Sequence, residues 1–168
     1  PAVLCLEADG SFKWAAGAEP SYVGCPAIAD LDGDGRAEVI MGREILSSRG
    51  DVIATGAGGG GYKMSFAVDM DGDGLLEVIA GNTIYTLDGS ILWTAPVGDT
   101  MPAVGDFDGD GLPDLVLAGA GSVSLVGNDG ALRWTTGIYG GGNGGPPTVA
   151  DFDGDGQAEV GVAGASYY

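Results

Sequence analysis

The chain has 168 residues, of which 34 are glycine, and 45% of its residues are hydrophobic. Its 24 acidic residues outnumber six basic ones, which gives a formal net charge of −18. Phosphate binding needs clustered lysine and arginine, so neither nucleic acid nor an anionic membrane surface is an expected partner. No apolar run approaches the length of a transmembrane helix, and we expect no membrane insertion. The chain starts at Pro1 without a methionine, so we expect a piece of a longer protein.

The first predicted element is a hairpin over residues 3–14, VLCLEADGSFKW. An Asp-Gly turn between two apolar segments is typical of a β-hairpin. The same pattern returns at residues 83–93 and 122–134, and in a weaker form at 44–54. A tryptophan follows the aspartate of the turn by five residues in each of the three clear copies, at Trp14, Trp93 and Trp134, and Ala54 takes that place in the weak copy.

A second element, an acidic loop, alternates with these hairpins. It reads DLDGDGRAE, DMDGDGLLE, DFDGDGLPD and DFDGDGQAE, and the copies begin at residues 30, 69, 106 and 151. An apolar segment follows each loop, as expected for a strand that is buried on both faces. The interval between loops is close to the ~40–50 residues of a four-stranded propeller blade.

The repeats predict an all-β fold, a β-propeller built of four-stranded antiparallel blades with four blade-equivalents in this chain. One repeat array spans residues 1–168, and its start and end are offset so that the first hairpin fastens the last blade, which removes open sheet edges. The predicted parts are an outer hairpin at 1–16, blades with metal loops at 26–57, 65–96 and 102–137, and an inner half-blade at 147–168.

Each acidic loop places carboxylates at positions 1, 3, 5 and 9 and glycine at position 6. Alternate residues of a tight loop converge, glycine permits the turn, and the backbone carbonyl at position 7 adds an oxygen, which together suit a hard cation such as Ca²⁺. The predicted ligands, position 7 included, are Asp30, Asp32, Asp34, Arg36 and Glu38; Asp69, Asp71, Asp73, Leu75 and Glu77; Asp106, Asp108, Asp110, Leu112 and Asp114; and Asp151, Asp153, Asp155, Gln157 and Glu159.

About four Ca²⁺ ions are therefore expected, and they would bring the formal charge from −18 to −10. The loops are not EF-hands, because an EF-hand requires its glutamate at position 12 and apolar residues stand there. Magnesium prefers to keep its waters. Zinc and copper are not the expected ions, because the chain has no histidine and no paired thiolate motif.

These four loops resemble the FG-GAP and VCBS repeats, the calcium-binding blades of integrin α-like propellers and of many secreted bacterial proteins. The resemblance implies calcium sites that stabilise each blade, an extracellular or cell-surface location, and a role in adhesion or carbohydrate binding. Relatives usually have seven blades and this chain supplies four. Three alternatives stay open: a closed four-blade ring, a homodimer that completes a larger ring, and a part of one larger ring.

The expected function is an adhesion, ligand-binding or structural scaffold whose partner is a protein or a carbohydrate. Tyrosines in the glycine-rich connectors are candidates for the ligand surface, with packing over the hub as the alternative: Tyr22, Tyr62 and Tyr139. Without histidine or a Gly-x-Ser-x-Gly motif, we expect no enzyme. The alternatives are the propeller portion of a calcium-dependent polysaccharide-active enzyme or lectin, and a structural unit of a surface fibre.

Two cysteines, Cys5 and Cys25, leave a disulfide open in an extracellular chain. The repeat alignment favours buried free thiols instead. Cys5 aligns with Ile84 and Leu125, and Cys25 aligns with methionines of the other repeats, so both positions accept apolar side chains without sulfur chemistry.

Overall fold

A computed structural model describes residues 2–17, 24–58 and 64–165. These residues form sixteen β-strands in five antiparallel sheets. The first sheet contains β1 (Ala2–Leu6) and β2 (Phe12–Gly17). The second contains β3 (Ala27–Ala29), β4 (Glu38–Met41), β5 (Glu44–Leu46) and β6 (Val52–Thr55). In the described part of the chain no helix has the length and apolar character needed to cross a membrane.

The third sheet contains β7 (Ser65–Val68), β8 (Glu77–Ala80), β9 (Thr83–Tyr85) and β10 (Ile91–Thr94). The fourth contains β11 (Met101–Gly105), β12 (Asp114–Gly119), β13 (Ser122–Val126) and β14 (Leu132–Gly137). The fifth contains β15 (Thr148–Ala150) and β16 (Glu159–Gly161). Within each four-stranded sheet the strands follow one another in chain order, as in a meander.

The strands in the middle of each sheet carry the core. Every residue of β8 and of β12 is buried, whereas all residues of β14 are exposed. A strand that is apolar on both faces must be covered on both faces, because uncompensated apolar surface in water costs free energy. The continuous apolar segments after the acidic loops therefore lie between neighbouring sheets.

The sheets pack face to face in an open row. Four apolar clusters fill the spaces between neighbours, and each cluster draws its residues from two consecutive sheets. Tyr85 of the third sheet packs with Ile40 and Ile45 of the second, and Leu115 of the fourth packs with Ile84 of the third. None of the clusters among the described residues joins the first sheet to the fifth.

The predicted β-propeller is wrong, although the all-β class is right. The structure has five separate sheets, none of which closes or curls into a ring, and its sheet-on-sheet organisation resembles a β-sandwich. The repeat spacing specifies how many strands one meander contains. The rotation from one sheet to the next depends on how side chains pack across the interface between them. The repeat spacing gives no information about that packing.

The offset ends of the predicted ring are also corrected. In the described residues β1 pairs with β2 and β15 pairs with β16, and these two short sheets stand at opposite ends of the row. The first hairpin therefore does not complete the last sheet of its own chain. The division of residues 1–168 into repeat units stays a prediction.

Both cysteines are free thiols, as predicted, but their predicted burial is wrong. Cys5 is half-buried and Cys25 is exposed. Cys25 makes an isolated parallel bridge with Met64, which joins the chain just before β3 to the chain just before β7. A backbone bridge at this point does not require burial of the Cys25 side chain. The alignment of Cys25 with methionines of the other repeats therefore did not predict its exposure.

Candidate metal-binding loops

Each acidic loop connects the first and second strands of a sheet, in the second to fifth sheets. Position 1 follows the first strand, and position 9 is the first residue of the next strand, where Glu38, Glu77, Asp114 and Glu159 begin β4, β8, β12 and β16. The strand pairs are antiparallel, so the two ends of every loop lie side by side. This closure brings position 9 back to the start of the loop.

The four loops share one hydrogen-bond network. The carboxylate at position 1 accepts a hydrogen bond from the glycine N–H at position 6, and the position 5 carboxylate accepts one from the N–H of position 7. The first contact is 2.9 to 3.0 Å long and joins Asp30 to Gly35, Asp69 to Gly74, Asp106 to Gly111 and Asp151 to Gly156. The second is 2.7 to 2.8 Å long and joins Asp34 to Arg36, Asp73 to Leu75, Asp110 to Leu112 and Asp155 to Gln157.

Two further contacts complete the network. The position 3 carboxylates, those of Asp32, Asp71, Asp108 and Asp153, accept hydrogen bonds from the N–H of position 5. The position 9 carboxylate accepts one from the N–H of position 2 at 2.7 to 3.1 Å. The carboxylates of each loop accept backbone N–H bonds, so contacts among the loop's own residues hold it in a curled form.

The carboxylate oxygens of each loop converge. In the fourth loop, one oxygen from each of Asp151, Asp153, Asp155 and Glu159 lies within 4.8 Å of the others. Three carboxylates converge in each remaining loop: Asp30, Asp32 and Glu38; Asp69, Asp71 and Glu77; and Asp106, Asp108 and Asp110. The structure therefore places all four groups together in one loop and three of the four in the others. These oxygen-only clusters are able to hold a metal ion.

Asp114 is the predicted ligand that stands apart in the third loop. One of its oxygens accepts a hydrogen bond from the N–H of Phe107 and the other accepts one from the N–H of Asn128, both at 3.1 Å. Asn128 also donates from its side chain to Asp110 at 2.9 Å. The sequence prediction missed Asn128. The hairpin that contains Asn128 was recognised from the sequence, but the contact of its turn with the acidic loop is a tertiary feature.

One carboxylate oxygen of the first loop has no hydrogen-bond partner among the described residues. This atom, Asp30 Oδ1, is buried. The corresponding oxygens of Asp69, Asp106 and Asp151 accept glycine N–H bonds at 2.6 to 2.7 Å. A buried anionic oxygen without a donor costs free energy, and a bound cation removes that cost. The residues of this loop therefore fit a metal ion.

The electrostatics of the interior loops also favour a cation. Burial raises the pKa of Glu77, and the nearby charges of Asp71, Asp73 and Asp69 raise it further. Burial likewise raises the pKa of Asp114, and Asp108 adds to this effect. In both loops the ionised carboxylates repel one another in a partly dry environment. A divalent ion between them would reverse the sign of that interaction.

For two other loop aspartates, Asp151 and Asp110, hydrogen bonds from backbone N–H groups have the largest effect on the pKa. The N–H groups of Gly156 and Gly154 lower the pKa of Asp151. The N–H of Leu112 and the side chain of Asn128 lower the pKa of Asp110. These aspartates stay ionised to lower pH than a free aspartate, and an ionised carboxylate is the form that binds a cation.

The apolar residue at position 2 packs toward the next sheet. Leu31 and Met70 are buried in the clusters between the second and third sheets and between the third and fourth. Phe107 packs against the cluster between the fourth and fifth sheets. Phe152, in the fifth sheet, is 60% exposed. The anchoring of a loop by this residue therefore depends on a following sheet.

The role of the position 7 residues as carbonyl ligands stays a prediction. Of the predicted ligand surface, Tyr22 and Tyr62 fall outside the described residues. Tyr139, two residues after the end of β14, is 79% exposed. The structure therefore leaves the tyrosine surface as a prediction.

The FG-GAP-like repeat model matches residues 106–162, which contain the third and fourth acidic loops. These residues, called the FG-GAP segment below, are similar to that family over about a third of the chain. The resemblance predicted from the loops is confirmed for this FG-GAP segment. No curated protein matches the chain.

Among solved structures, the chain is similar to the Vibrio cholerae biofilm matrix protein Bap1. The TM-score is 0.72 and the sequence identity is 26%. The match covers 84% of this chain and 25% of the Bap1 chain. The chain thus spans about a quarter of the length of Bap1, and the FG-GAP segment lies in a fold that is shared with part of that protein.

Proposed function

We propose that this chain is a calcium-binding module of an extracellular adhesion or structural protein, and that each acidic loop holds one Ca²⁺ ion. The observation that carries the proposal is the recurrence of one loop geometry four times, with three or four carboxylate oxygens within 4.8 Å of one another in every copy. The convergence of the carboxylate oxygens in every copy is the arrangement that a bound cation requires.

The donor chemistry supports calcium over other divalent ions. Calcium takes six to eight oxygen ligands at about 2.3–2.6 Å, in flexible geometry. Asp151, Asp153, Asp155 and Glu159 would hold the ion of the fourth loop, with the Gln157 carbonyl as a further ligand. The bound ion would cancel the repulsion among these side chains and tie the two strands together. The module would therefore be stiff only when calcium is present.

The setting is proposed from the comparisons. FG-GAP-like repeats match residues 106–162, and the similar structure, that of Bap1, belongs to a biofilm matrix protein. Both observations support an extracellular or cell-surface location, where calcium is abundant, and a role in adhesion or in building a matrix. The high net negative charge is compatible with such a setting because bound calcium offsets it.

Calorimetric titration of the metal-free chain with Ca²⁺ tests the proposal. We expect about four sites and a higher melting temperature in Ca²⁺ than in EDTA, because ligand binding to the folded state stabilises it. Mg²⁺ at the same concentration is the control ion and should have a much smaller effect. The double variant Asp151→Asn, Asp153→Asn should lose one site and keep the others. Absence of binding heat, with a melting temperature indifferent to EDTA, would overturn the proposal.

We also propose that the partner of the module is a protein or a carbohydrate and that the chain catalyses no reaction. The part of the surface that remains a candidate for ligand contact within the described residues includes Tyr139, whose ring is exposed. A panel of polysaccharides incubated with the calcium-loaded chain provides the test. Binding without release of products supports the proposal, and product release would establish the polysaccharide-active alternative.

A further inference from the structure

The third acidic loop brings together a different set of carboxylates from the first and second loops. In the first two loops the oxygens that lie within 4.8 Å of one another come from positions 1, 3 and 9, and position 5, Asp34 or Asp73, is outside the cluster. In the third loop they come from positions 1, 3 and 5, and position 9, Asp114, is outside. Asp110 has thus joined the cluster of the third loop in place of Asp114.

Both oxygens of Asp114 are held by backbone N–H groups. Position 9 is an aspartate in this loop and a glutamate in the other three, so its carboxylate is one methylene closer to the strand. One oxygen still accepts the hydrogen bond from position 2, which is Phe107, at 3.1 Å. The other accepts a hydrogen bond from the N–H of Asn128, also at 3.1 Å. The short side chain is therefore fixed between its own loop and the turn that contains Asn128.

Asn128 also contacts the carboxylate that has joined the cluster. Its side-chain amide donates to Asp110 Oδ2 at 2.9 Å, and Asp110 Oδ1 accepts the N–H of Leu112 at 2.8 Å. The backbone of Asn128 thus holds position 9, and its side chain holds position 5. A single residue from outside the loop contacts both of the carboxylates by which the third cluster differs from the first two.

The turn that contains Asn128 is firmly held. The N–H of Gly130 donates to the carbonyl of Gly127 at 2.8 Å, and the N–H of Gly127 donates to the carbonyl of Ala131 at 2.9 Å. Trp93 of the third sheet covers the turn so closely that a Cβ on Gly130 would lie 3.1 Å from the indole ring. A side chain on a closed and covered turn has little freedom to move, so Asn128 can hold its partners in one place.

The amide side chain is particular to the third loop. The residue two places after the end of the third strand is Ser48 in the second sheet, Leu87 in the third and Asn128 in the fourth. Leu87 packs against the apolar cluster between the second and third sheets and has no donor to offer. Ser48 carries a hydroxyl, which is shorter than an amide side chain. The unusual cluster and the unusual turn residue therefore occur in the same sheet.

We propose that Asn128 is a positioning residue of the third metal site, an inference that rests on the proposed calcium binding. Asn128 holds the carboxylate of Asp110 in the cluster and keeps Asp114 as an acceptor for backbone N–H groups. Residues that hydrogen-bond to a ligand fix its orientation and tune the affinity of the site. In the third loop Asp110 therefore contributes more to calcium affinity than Asp114 does. In the second loop the order is reversed, and Glu77 contributes more than Asp73.

A calcium titration followed by NMR tests the inference one loop at a time. The position 6 glycines are the reporters, because the N–H of each donates to the position 1 carboxylate of its own loop: Gly35, Gly74, Gly111 and Gly156. In Asn128→Ala, the calcium concentration that half-shifts the Gly111 signal should rise about tenfold or more, and the other three midpoints should not change. Ser48→Ala, at the same turn position beside the first loop, is the matched control and should move no midpoint.

A second set of variants separates positioning from a general effect on stability. Asp110→Asn should raise the Gly111 midpoint more than Asp114→Asn does, and this difference should shrink when Asn128→Ala is added to both. A residue that only stabilised the fold would leave the order of the two losses unchanged. An unshifted Gly111 midpoint in Asn128→Ala, or a greater loss from Asp114→Asn, would overturn the inference while leaving calcium binding in place. Glycine signals that ignore calcium in all four loops would overturn the proposed function and this inference together.

Discussion

The second and fourth acidic loops have nearly the same sequence and different surroundings. In both, the N–H of position 2 donates to the position 9 glutamate, at 2.8 Å from Met70 to Glu77 and at 2.7 Å from Phe152 to Glu159. In the second loop Met70 and Glu77 are buried, at 0% and 4% exposure. In the fourth loop Phe152 is 60% exposed and Glu159 is half-buried.

The comparison separates two levels of organisation. The loop itself is local, because its carboxylates accept hydrogen bonds from backbone groups a few residues away, with or without a neighbouring sheet. Its attachment to the core is not local, because it depends on a following sheet that covers position 2. Substitutions in the second loop should therefore change the free energy of unfolding of the whole chain. Substitutions in the fourth loop should mainly change metal binding.

The largest expected difference concerns the position 2 anchors. Met70→Ala should lower the free energy of unfolding by about 3 kcal/mol, because it leaves a cavity in a closed cluster. Phe152→Ala should change it by less than about 0.5 kcal/mol, since the ring already lies largely in water. Urea denaturation in EDTA, at a concentration where the chain is a monomer, measures both values. Equal losses would show that the two loops do not differ in the way proposed.

A smaller difference is expected for the position 9 acids in the metal-free chain, measured by urea denaturation in EDTA. Glu77→Ala should cost about 1–3 kcal/mol, because the buried N–H of Met70 loses its acceptor. Glu159→Ala should cost about 1 kcal/mol or less, because water can reach the N–H of Phe152. Each variant should also lose one calcium site in a calorimetric titration.

Glu77→Gln is the control for this pair of variants, because its amide oxygen retains the acceptor while its charge is removed. It should keep most of the stability and still weaken the calcium site. A Glu77→Gln chain as unstable as Glu77→Ala would assign the effect to charge and not to the hydrogen bond.

The smallest effect is a pH dependence of the metal-free chain. Burial and neighbouring acids raise the pKa of Glu77 and of Asp114, so the folded state holds these protons at a pH where the unfolded state has released them. Stability should then rise as the pH falls from neutral toward the range in which carboxylates ordinarily titrate. Asp151 and Asp110, whose pKa is lowered by hydrogen bonds, act oppositely: their contribution is present above their unfolded pKa and is lost in stronger acid.

Melting temperatures across this pH range in EDTA measure the effect. Glu77→Gln should reduce this rise in stability, because it removes one of the two groups that take up a proton on folding. Asp151→Asn should leave this rise intact. A metal-free chain whose melting temperature falls steadily over the same interval would contradict the prediction.

The strand–loop–strand units were predictable because their signals lie within short segments. Asp-x-Asp-Gly-Asp-Gly specifies a curled loop through contacts between near neighbours, and the apolar segment after it specifies a buried strand. The exposure of Cys25 and the role of Asn128 were not predictable in the same way. Cys25 depends on a backbone bridge to Met64, and Asn128 depends on a turn from another hairpin that lies against the third loop.

By itself, the sequence determined the strands, the turns and the four clusters of carboxylates, because hydrogen bonds and apolar periodicity over a few residues decide these features. Only the tertiary structure decided that the sheets form an open row and that Phe152 lies in water while Met70 does not. The physical reason is that a side chain on a sheet face is buried only when a neighbouring sheet covers that face. A repeat determines which faces need a neighbour, and the packing between sheets decides which of those faces receive one.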